Sequence, residues 1–569
     1  MKEGSHNTED LRRVSLELNI SRLQPKPKGL DVNPARIEQH LGNYTREKPQ
    51  QVQEALKYLE QINKIELKPV VRKNLLVVVT ASTAVAMTDI YRKYLSKGTS
   101  FPEDAERKTD LTSSINFLRQ LIHSYKILLS GDYHLPFKKF NQEHERVRFV
   151  SVRILELTLW LQRYLAIRFQ KLSPQDWKDF NAIYFIYVSL FDPKEAVQMT
   201  AKLELFKASG IITSKSPDRN VVSIYKSVQL FGLLDITSWP SKSTQAIEQY
   251  LYKNEQLIGL DMNEQQSLIE NFVVTYPDLD SAPLFKPRDS SRLACYFNLA
   301  PLKKQIEEEL DVNLKKKFIG EEEKKRLQPQ GQAIKLEESQ SLLTLLYNNL
   351  SFLQRGSERK TLYGSKTVDV YTGLAESYRL LYEISKPQIR KEMNSGLHDA
   401  AARSSSLLFD EDLSELECRW QIINESDTGI LIRTIETRYM HVMEVGHVVA
   451  IRRDEDGTTG LPQLGYITRL DRLNDGELDV AIVKMSRHAE AVTILEPGQD
   501  QNTQDLLPGI LVQSIERIWQ LILPRYVKYV TGTPAIIKRN MDNIPVRLGE
   551  SVETKNGFIM FEVRSPGLK

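Results

Sequence analysis

The sequence predicts an α+β protein of several domains: an all-α helical N-terminal domain, then a small antiparallel β-barrel and a C-terminal β-rich extension. Length is the first reason, because 569 residues exceed what one hydrophobic core organises. The second is that apolar residues recur at intervals of three and four through residues 51–240, the period of amphipathic helices. The third is a change beyond residue 354 to short alternating segments separated by glycine-bearing turns, as in small barrels or sandwiches.

The N-terminal half divides into three predicted segments. Residues 1–50 are polar and rich in proline, which predicts a flexible arm. Residues 51–240 form the helical domain, whose clearest helix start is Ser173–Asp176, with serine at the cap and proline at the first helical position. Residues 241–353 are a mixed connecting region that ends in a helix from Leu336 to Leu353.

The C-terminal half divides into a barrel, residues 354–497, and a β-rich extension, residues 498–569. A helical insertion and a serine-rich acidic loop interrupt the barrel over residues 372–417. The predicted barrel strands are Lys366–Val370, Trp420–Ile423, Ile430–Thr434, His447–Ile451, Leu464–Leu470, Leu478–Met485 and Ala491–Leu495. Those of the extension are Trp519–Leu523, Ala535–Lys538, Val546–Leu548 and Phe558–Val563.

Composition limits the partners and the compartment. With 77 basic against 74 acidic residues, the net charge of +3 gives no general attraction to a nucleic acid polymer or a membrane surface. Cys295 and Cys418 are the only cysteines, which excludes a disulfide framework and fits a reducing compartment. The most apolar segment, Leu75–Met87, is shorter than the roughly 20 residues that a membrane span needs. We therefore expect a cytoplasmic protein without a membrane span.

The residue patterns of the sequence disfavour catalysis, metal binding and a cofactor. The chain has no glycine-rich phosphate loop and no spacing that supports a Ser-His-Asp or paired-carboxylate site, so we predict that it is not an enzyme. His441 and His447 would share one face of a strand while Glu444 points to the other, which argues against a metal site there.

The segment with the strongest functional signal runs from Trp420 to Arg433. It places Asn424, Ser426 and Gly429 in an Asn-x-Ser-x-x-Gly pattern between two apolar runs, which predicts two strands joined by a polar turn. Alone, this pattern is also that of an ordinary turn, because Asn and Ser cap turns and Gly ends them.

A second element lies upstream, where Arg355 and Arg359 form an Arg-x-x-x-Arg pattern before the first barrel strand. Two arginines at this spacing can clasp one compact dianion, since each guanidinium offers a planar fork to phosphate oxygens or to the edge of guanine. The pattern alone is weak evidence, because Arg288 and Arg292 match it with no such turn behind them in the expected order.

Taken together, Arg-x-x-x-Arg, a strand and Asn-x-Ser-x-x-Gly in a barrel resemble the PilZ family of cyclic di-GMP receptors. Val445–Val449 and Leu464–Leu470 are similar to later strands of that family, so the resemblance covers residues 354–497. It implies that Arg355 and Arg359 grip phosphates and guanine edges, that Asn424 and Ser426 hydrogen-bond a guanine, and that Gly429 lets the ligand approach the backbone. Asn424 follows Arg359 by 65 positions, more than the family usually has, so an insertion must loop out between them.

Two functions follow as hypotheses. In the first, the protein is a bacterial second-messenger effector: the barrel binds cyclic di-GMP and the helical domain reports it to an unidentified protein partner, in the control of type IV pili, motility or biofilm attachment. In the second, the barrel has kept the fold but lost the ligand, and the chain is a nucleotide-independent interaction adaptor. Gln354 leaves open whether one ligand molecule or an intercalated pair binds.

Overall fold

The structure, a computed structural model, divides into two compact units. Unit 1 comprises Met1–Gly98, Asp104–Ile236 and Ser241–Gln354, and unit 2 comprises Thr99–Glu103, Thr237–Pro240 and Arg355–Lys569. The residues that the structure describes are 20, 22–96, 103–133, 142–194, 220–239, 243–262, 272–286, 293–323, 342–350, 360–361, 366–393, 419–435, 443–455, 458–459, 462–473, 476–486, 488–495, 507–513, 518–525, 529, 531–539, 542–555 and 557–565.

Unit 1 is mainly helical, which confirms the predicted order of a helical N-terminal part before a β-rich part. The described helices are α1 (Pro34–Gly42), α2 (Lys48–Ile62), α3 (Pro69–Ser96), α4 (Ala105–Tyr133), α5 (Gln142–Ile167), α6 (Pro174–Leu190), α7 (Val221–Leu233), α8 (Ser243–Lys253), α9 (Ala300–Glu323) and α10 (342–349). A small antiparallel sheet of β1 (Gly259–Asp261), β3 (Cys295–Asn298) and β2 (Phe272–Thr275) lies between α8 and α9 in the chain.

The predicted start of α6 is confirmed in detail. Ser173 is the cap, and its hydroxyl oxygen accepts a hydrogen bond from the backbone N–H of Asp176 at 3.1 Å. The Asp176 carboxylate accepts in return from the backbone N–H of Ser173 at 3.0 Å. This reciprocal pair satisfies amide donors that have no partner inside the helix.

The prediction of a flexible arm through residue 50 is wrong for its second half, where α1 and the start of α2 lie. Asn33 caps α1 by accepting from the backbone N–H of Ala35 at 3.0 Å, and Pro34 is the first helical residue. Proline was interpreted as a breaker, but at the first helical position its missing N–H costs nothing and its fixed φ suits the helix. Residues 1–19 lie outside the described residues.

Helix α3 contains the segment weighed above as a membrane candidate. Of the described helices, only Pro69–Leu95 is long and apolar enough to pass a length and composition test for a membrane span, and half of its most apolar window is buried. Leu75, Leu76 and Val79 are fully buried in unit 1, which favours the prediction of a core helix. Val70 and Val85 of the same helix are more than half exposed.

Unit 2 begins with a closed ring of strands. Its sheet has the order β4 (Lys360–Thr361), β6 (Arg419–Glu425), β5 (Thr367–Thr372), β8 (Val448–Arg452), β11 (Gln463–Arg472), β12 (Glu477–Ser486) and β7 (Gly429–Ile435). A further antiparallel pairing of β6 with β7 closes six of these strands into a ring, and β4 adds to β6 on one side. The short strands β9 (Asp454–Glu455) and β10 (Thr458–Thr459) form a separate hairpin.

A second closed barrel follows, with the order β13 (Ala489–Leu495), β14 (Leu507–Gln513), β15 (Trp519–Pro524), β18 (Phe558–Arg564), β17 (Asp542–Thr554) and β16 (Pro534–Arg539). Strand β13 was predicted as Ala491–Leu495 of the first barrel, and the extension was predicted only to be β-rich. In the structure that strand pairs with β14 and β16 of the second barrel. The prediction failed because alternation of apolar residues shows that a segment is a strand but not which strand it joins.

The predicted insertion between β5 and β6 contains helix α11 (Leu374–Met393). It begins after Gly373, whose φ of +88° makes the sharp turn out of β5. Leu380 and Leu381 of α11 join one apolar cluster with Val448 and Leu464 of the first barrel and Ile510, Ile522 and Phe558 of the second. The insertion therefore packs both barrels together, while residues 394–418 lie outside the described residues.

Candidate functional site

The Asn-x-Ser-x-x-Gly segment forms the turn between β6 and β7. The backbone N–H of Ser426 donates to the carbonyl of Gly429 at 2.8 Å, and the N–H of Gly429 donates to Oγ of Ser426 at 3.2 Å. These two bonds close the turn over Asp427 and Thr428, both of which are exposed. The structure thus brings Asn424, Ser426 and Gly429 together within one compact turn.

Asn424 lies at the β6 end of this turn, two residues before Ser426, where the ladder between β6 and β7 is irregular. Ile422 is opposite Ile432 but Asn424 is opposite Leu431, so Ile423 is an extra residue in β6. Such a bulge reverses which side chains point outward from that position onward. The half-buried Asn424 side chain makes no hydrogen bond among the described residues, so its amide is available to a ligand.

Gly429 has a structural reason to be glycine besides the ligand approach that the resemblance implies. A Cβ atom built on it would lie 3.2 Å from the carbonyl oxygen of Ile482 on the neighbouring β12. That distance is tight for a methyl group, so β7 lies closer to β12 at this point than most side chains allow. Close backbone approach is the usual reason for glycine within a strand.

Arg355 and Arg359, the other half of the predicted site, lie outside the described residues. The next residue, Lys360, begins β4, and the register of β4 on β6 places Lys360 opposite Glu425 and Thr361 opposite Asn424. Strand β4 therefore pairs with the same two residues of β6 that lead into the turn. The positions of the two guanidinium groups remain a prediction.

Three charged residues that the site prediction did not include meet behind the turn. Oε1 of Glu425 accepts hydrogen bonds from Nη2 of Arg453, directly after β8, and from Nζ of Lys484 on β12, the latter at 2.5 Å. Nζ of Lys484 also donates to the carbonyl of Ser426 at 2.7 Å, and its backbone N–H donates to the carbonyl of Thr428 at 3.0 Å. The side chain of Lys484 is only 9% exposed.

The two cations set the charge state of Glu425. Burial alone would raise the pKa of its carboxyl group, but the hydrogen bonds and charges of Arg453 and Lys484 outweigh burial and lower the pKa below its ordinary value. Glu425 is therefore ionised at neutral pH. Sequence reasoning could not find this group, because its partners lie on strands whose register only the folded barrel fixes.

Two residues within the strand predicted at Leu464–Leu470 have structural roles. A Cβ on Gly465 would lie 2.5 Å from the carbonyl oxygen of Val483, so that glycine permits the close pairing of β11 with β12. Arg469 lies 2.8 Å from the carboxylate of Asp471. His441 lies outside the described residues. In the part of the chain that the structure describes, no group of three His, Cys, Asp or Glu residues could hold a metal ion.

Comparison with known proteins adds one finding. Residues 45–264 match a family model described as the N-terminal domain of the cyclic-di-GMP receptor FimW. The matched part is less than half of the chain and lies almost entirely in the helical unit, and the description of the matched family is that of a receptor domain. Neither the curated proteins nor the solved structures yielded a match.

Proposed function

We propose that this chain is a cytoplasmic effector that binds cyclic di-GMP at a PilZ-like barrel and relays the second-messenger level to a protein partner through its helical unit. The process that we propose it controls is pilus function, motility or surface attachment. The observation that carries the proposal is the agreement of two separate signals. The family match covers residues 45–264, the ligand motif covers residues 355–429, and the two share no residue.

The arrangement of the barrel supports the proposed site. Asn424, Ser426 and Gly429 lie in one closed turn at an end of the six-stranded ring, and β4 reaches the same end. Lys360 pairs there with Glu425, and Arg359 is the residue immediately before Lys360. Helix α11 supplies 20 of the residues between the two motifs and packs on both barrels, which is compatible with the long spacing.

The chemistry of these residues fits the ligand. Cyclic di-GMP carries two phosphodiester charges and two flat guanines, so it needs cations that form bidentate bonds and also stack on bases, as arginine does. We assign Arg355 and Arg359 to the phosphates and guanine edges, and Asn424 and Ser426 to hydrogen bonds with one guanine. Gly429 leaves the backbone open to close approach.

Calorimetric titration of the full chain with cyclic di-GMP tests the site. We expect the wild type to release heat and Arg359→Ala to lose at least about tenfold in affinity, because one of two phosphate forks is removed. Arg292→Ala is the matched control, since Arg288 and Arg292 have the same spacing without the turn. Equal affinity for all three proteins would contradict the assignment, and the measured stoichiometry distinguishes one bound molecule from a pair.

The alternative is an adaptor whose barrel no longer binds the nucleotide. Its support is the long insertion between the two motifs, which departs from the family's usual spacing. A pull-down with the full chain separates the two functions. Retention of partners that depends on cyclic di-GMP and is lost in Arg355→Ala favours the effector, while retention indifferent to both favours the adaptor.

A further inference from the structure

The residues behind the turn lie on a different face of the barrel from Asn424. Directly opposite residues in neighbouring strands share a face, and Glu425 is opposite Ile430, which is opposite Ile482. Ile430 and Ile482 are 4% and 2% exposed, so this row faces the interior. Side chains alternate along a strand, so Asn424 faces outward, and Lys484, two residues after Ile482, faces inward like Glu425.

The contacts of Glu425 agree with this placement. In the ring, β6 pairs with β4, β5 and β7, whereas Arg453 follows β8 and Lys484 belongs to β12. Side chains from strands that are not neighbours meet across the space that a barrel encloses. The carboxylate of Glu425 thus joins the ends of three separated strands beneath the turn.

Lys484 also holds the turn at two other points. Its ammonium group bonds the carbonyl of Ser426, and its backbone N–H bonds the carbonyl of Thr428. Together with the bond to Glu425, these contacts fix three successive parts of the turn from the inside. None of them uses the side chains of Asn424 or Ser426 that the proposed function assigns to the ligand.

We propose that Glu425, Lys484 and Arg453 are positioning residues that hold the turn in its ligand-binding shape without touching the ligand. This inference rests on the proposed function and extends it to residues outside the two motifs. A turn that is already ordered loses less conformational freedom when a ligand binds, which strengthens affinity. Loss of these three positioning residues, here called the clamp, therefore weakens binding because Asn424 and Ser426 are less well ordered, and not because a direct contact with the ligand is lost.

The first test is Lys484→Met, which keeps the length of the side chain but removes its charge and donors. We expect about a tenfold loss of cyclic di-GMP affinity by calorimetry, with recovery of most of it in Lys484→Arg. The matched control is Glu477→Gln, a charge change at the far end of the same strand, where Glu477 pairs with Arg433 at 3.2 Å. The control should bind like wild type, and equal affinity of Lys484→Met and wild type would overturn the proposal.

A double-mutant cycle separates positioning from direct contact. If Lys484 acts through Asn424, adding Lys484→Met to Asn424→Ala should cost little more than Asn424→Ala alone. If Lys484 contacts the phosphates directly or only stabilises the barrel, its effect persists undiminished in the Asn424→Ala background. That second result would overturn the proposal.

A measurement without ligand keeps this inference separate from the proposed function. The backbone amides of Ser426 and Gly429 should exchange hydrogen faster in Lys484→Met than in Glu477→Gln, because the turn is released from inside. Equal exchange rates of these amides in the two variants would overturn the proposal that Lys484 orders the turn. Faster exchange in a protein whose wild type binds no cyclic di-GMP would sink the proposed function while leaving the clamp as a feature of the turn.

Discussion

At the scale of single residues, two glycines of the first barrel show different tolerances for a side chain. A Cβ on Gly465 would lie 2.5 Å from a backbone oxygen, a distance that forces a strand to move. A Cβ on Gly429 would lie 3.2 Å from the nearest backbone oxygen, which a shift of a few tenths of an ångström relieves. Gly465 is therefore needed for the fold, whereas the proposed site gives Gly429 a second role.

This difference predicts opposite profiles for the two alanine variants. Gly465→Ala should lower the free energy of unfolding by about 1–3 kcal/mol, as overpacking does. Gly429→Ala should cost less than about 1 kcal/mol but reduce affinity for cyclic di-GMP, because the proposed site has the ligand approach the backbone at this position. Denaturant unfolding and calorimetry on both variants check this, and a larger stability loss for Gly429→Ala would contradict it.

Glu425 predicts a pH dependence at the same scale. Its pKa is lowered in the folded protein by Arg453 and Lys484, against the effect of burial, so its ion pairs stabilise the fold above the ordinary glutamate pKa. That stability is lost as the pH falls through the lowered value. Glu425→Gln should thus be less stable than wild type at pH 7, and the difference should shrink at acid pH below the ordinary value. Denaturant midpoints across this range measure it, and a difference that is constant with pH would refute the assignment.

At the scale of elements, periodicity predicted most of the architecture. The helices of unit 1 and nearly all strands of the first barrel lie where apolar period and turn residues placed them. Strand β14 was missed because Pro508 and Gly509 resemble loop residues. A Cβ atom on Gly509 would lie 3.1–3.3 Å from side-chain atoms of Leu523, Ile494 and Leu521, so the barrel interior leaves little room for a side chain there. The second barrel was missed because strand partners depend on contacts distant in sequence, and the Glu425 cluster was missed for the same reason.

A buried ion pair and a cation–π contact, both made by one arginine, connect three helices of unit 1. Nε of Arg163 on α5 lies 2.5 Å from Oε1 of Glu248 on α8, both side chains are less than 10% exposed, and the guanidinium lies 4.3 Å from the ring centroid of Phe231 on α7. Loss of one partner leaves the other charge buried and uncompensated, which costs far more than loss of an exposed pair.

Glu248→Ala should accordingly destabilise unit 1 by about 3–5 kcal/mol. Glu308→Ala, which removes an exposed pair with Lys304 on α9, is the control and should cost less than about 1 kcal/mol. Denaturant unfolding followed by far-UV circular dichroism reports this, since helices dominate that signal. Similar losses in the two variants would show that Arg163 finds another partner or solvent.

At the scale of the whole molecule, the chain has a helical unit, most of which matches a model of the N-terminal domain of a cyclic-di-GMP receptor. It also has a barrel whose turn between β6 and β7 carries the Asn-x-Ser-x-x-Gly motif. Sequence identified three of the five proposed ligand residues in a turn that the structure forms. Arg355 and Arg359 lie outside the described residues, so their approach to Asn424 remains the central prediction. Under the proposed function, a ligand that bridges them would select one arrangement of the barrel, and the helical unit would report that arrangement.

Calorimetric titration of the full chain with cyclic di-GMP tests this claim most directly. The account predicts saturable binding by the wild type, weakened at least about tenfold in both Arg359→Ala and Asn424→Ala and unchanged in Arg292→Ala. A wild type that releases no heat and shows no displacement of a fluorescent cyclic di-GMP analogue would contradict it.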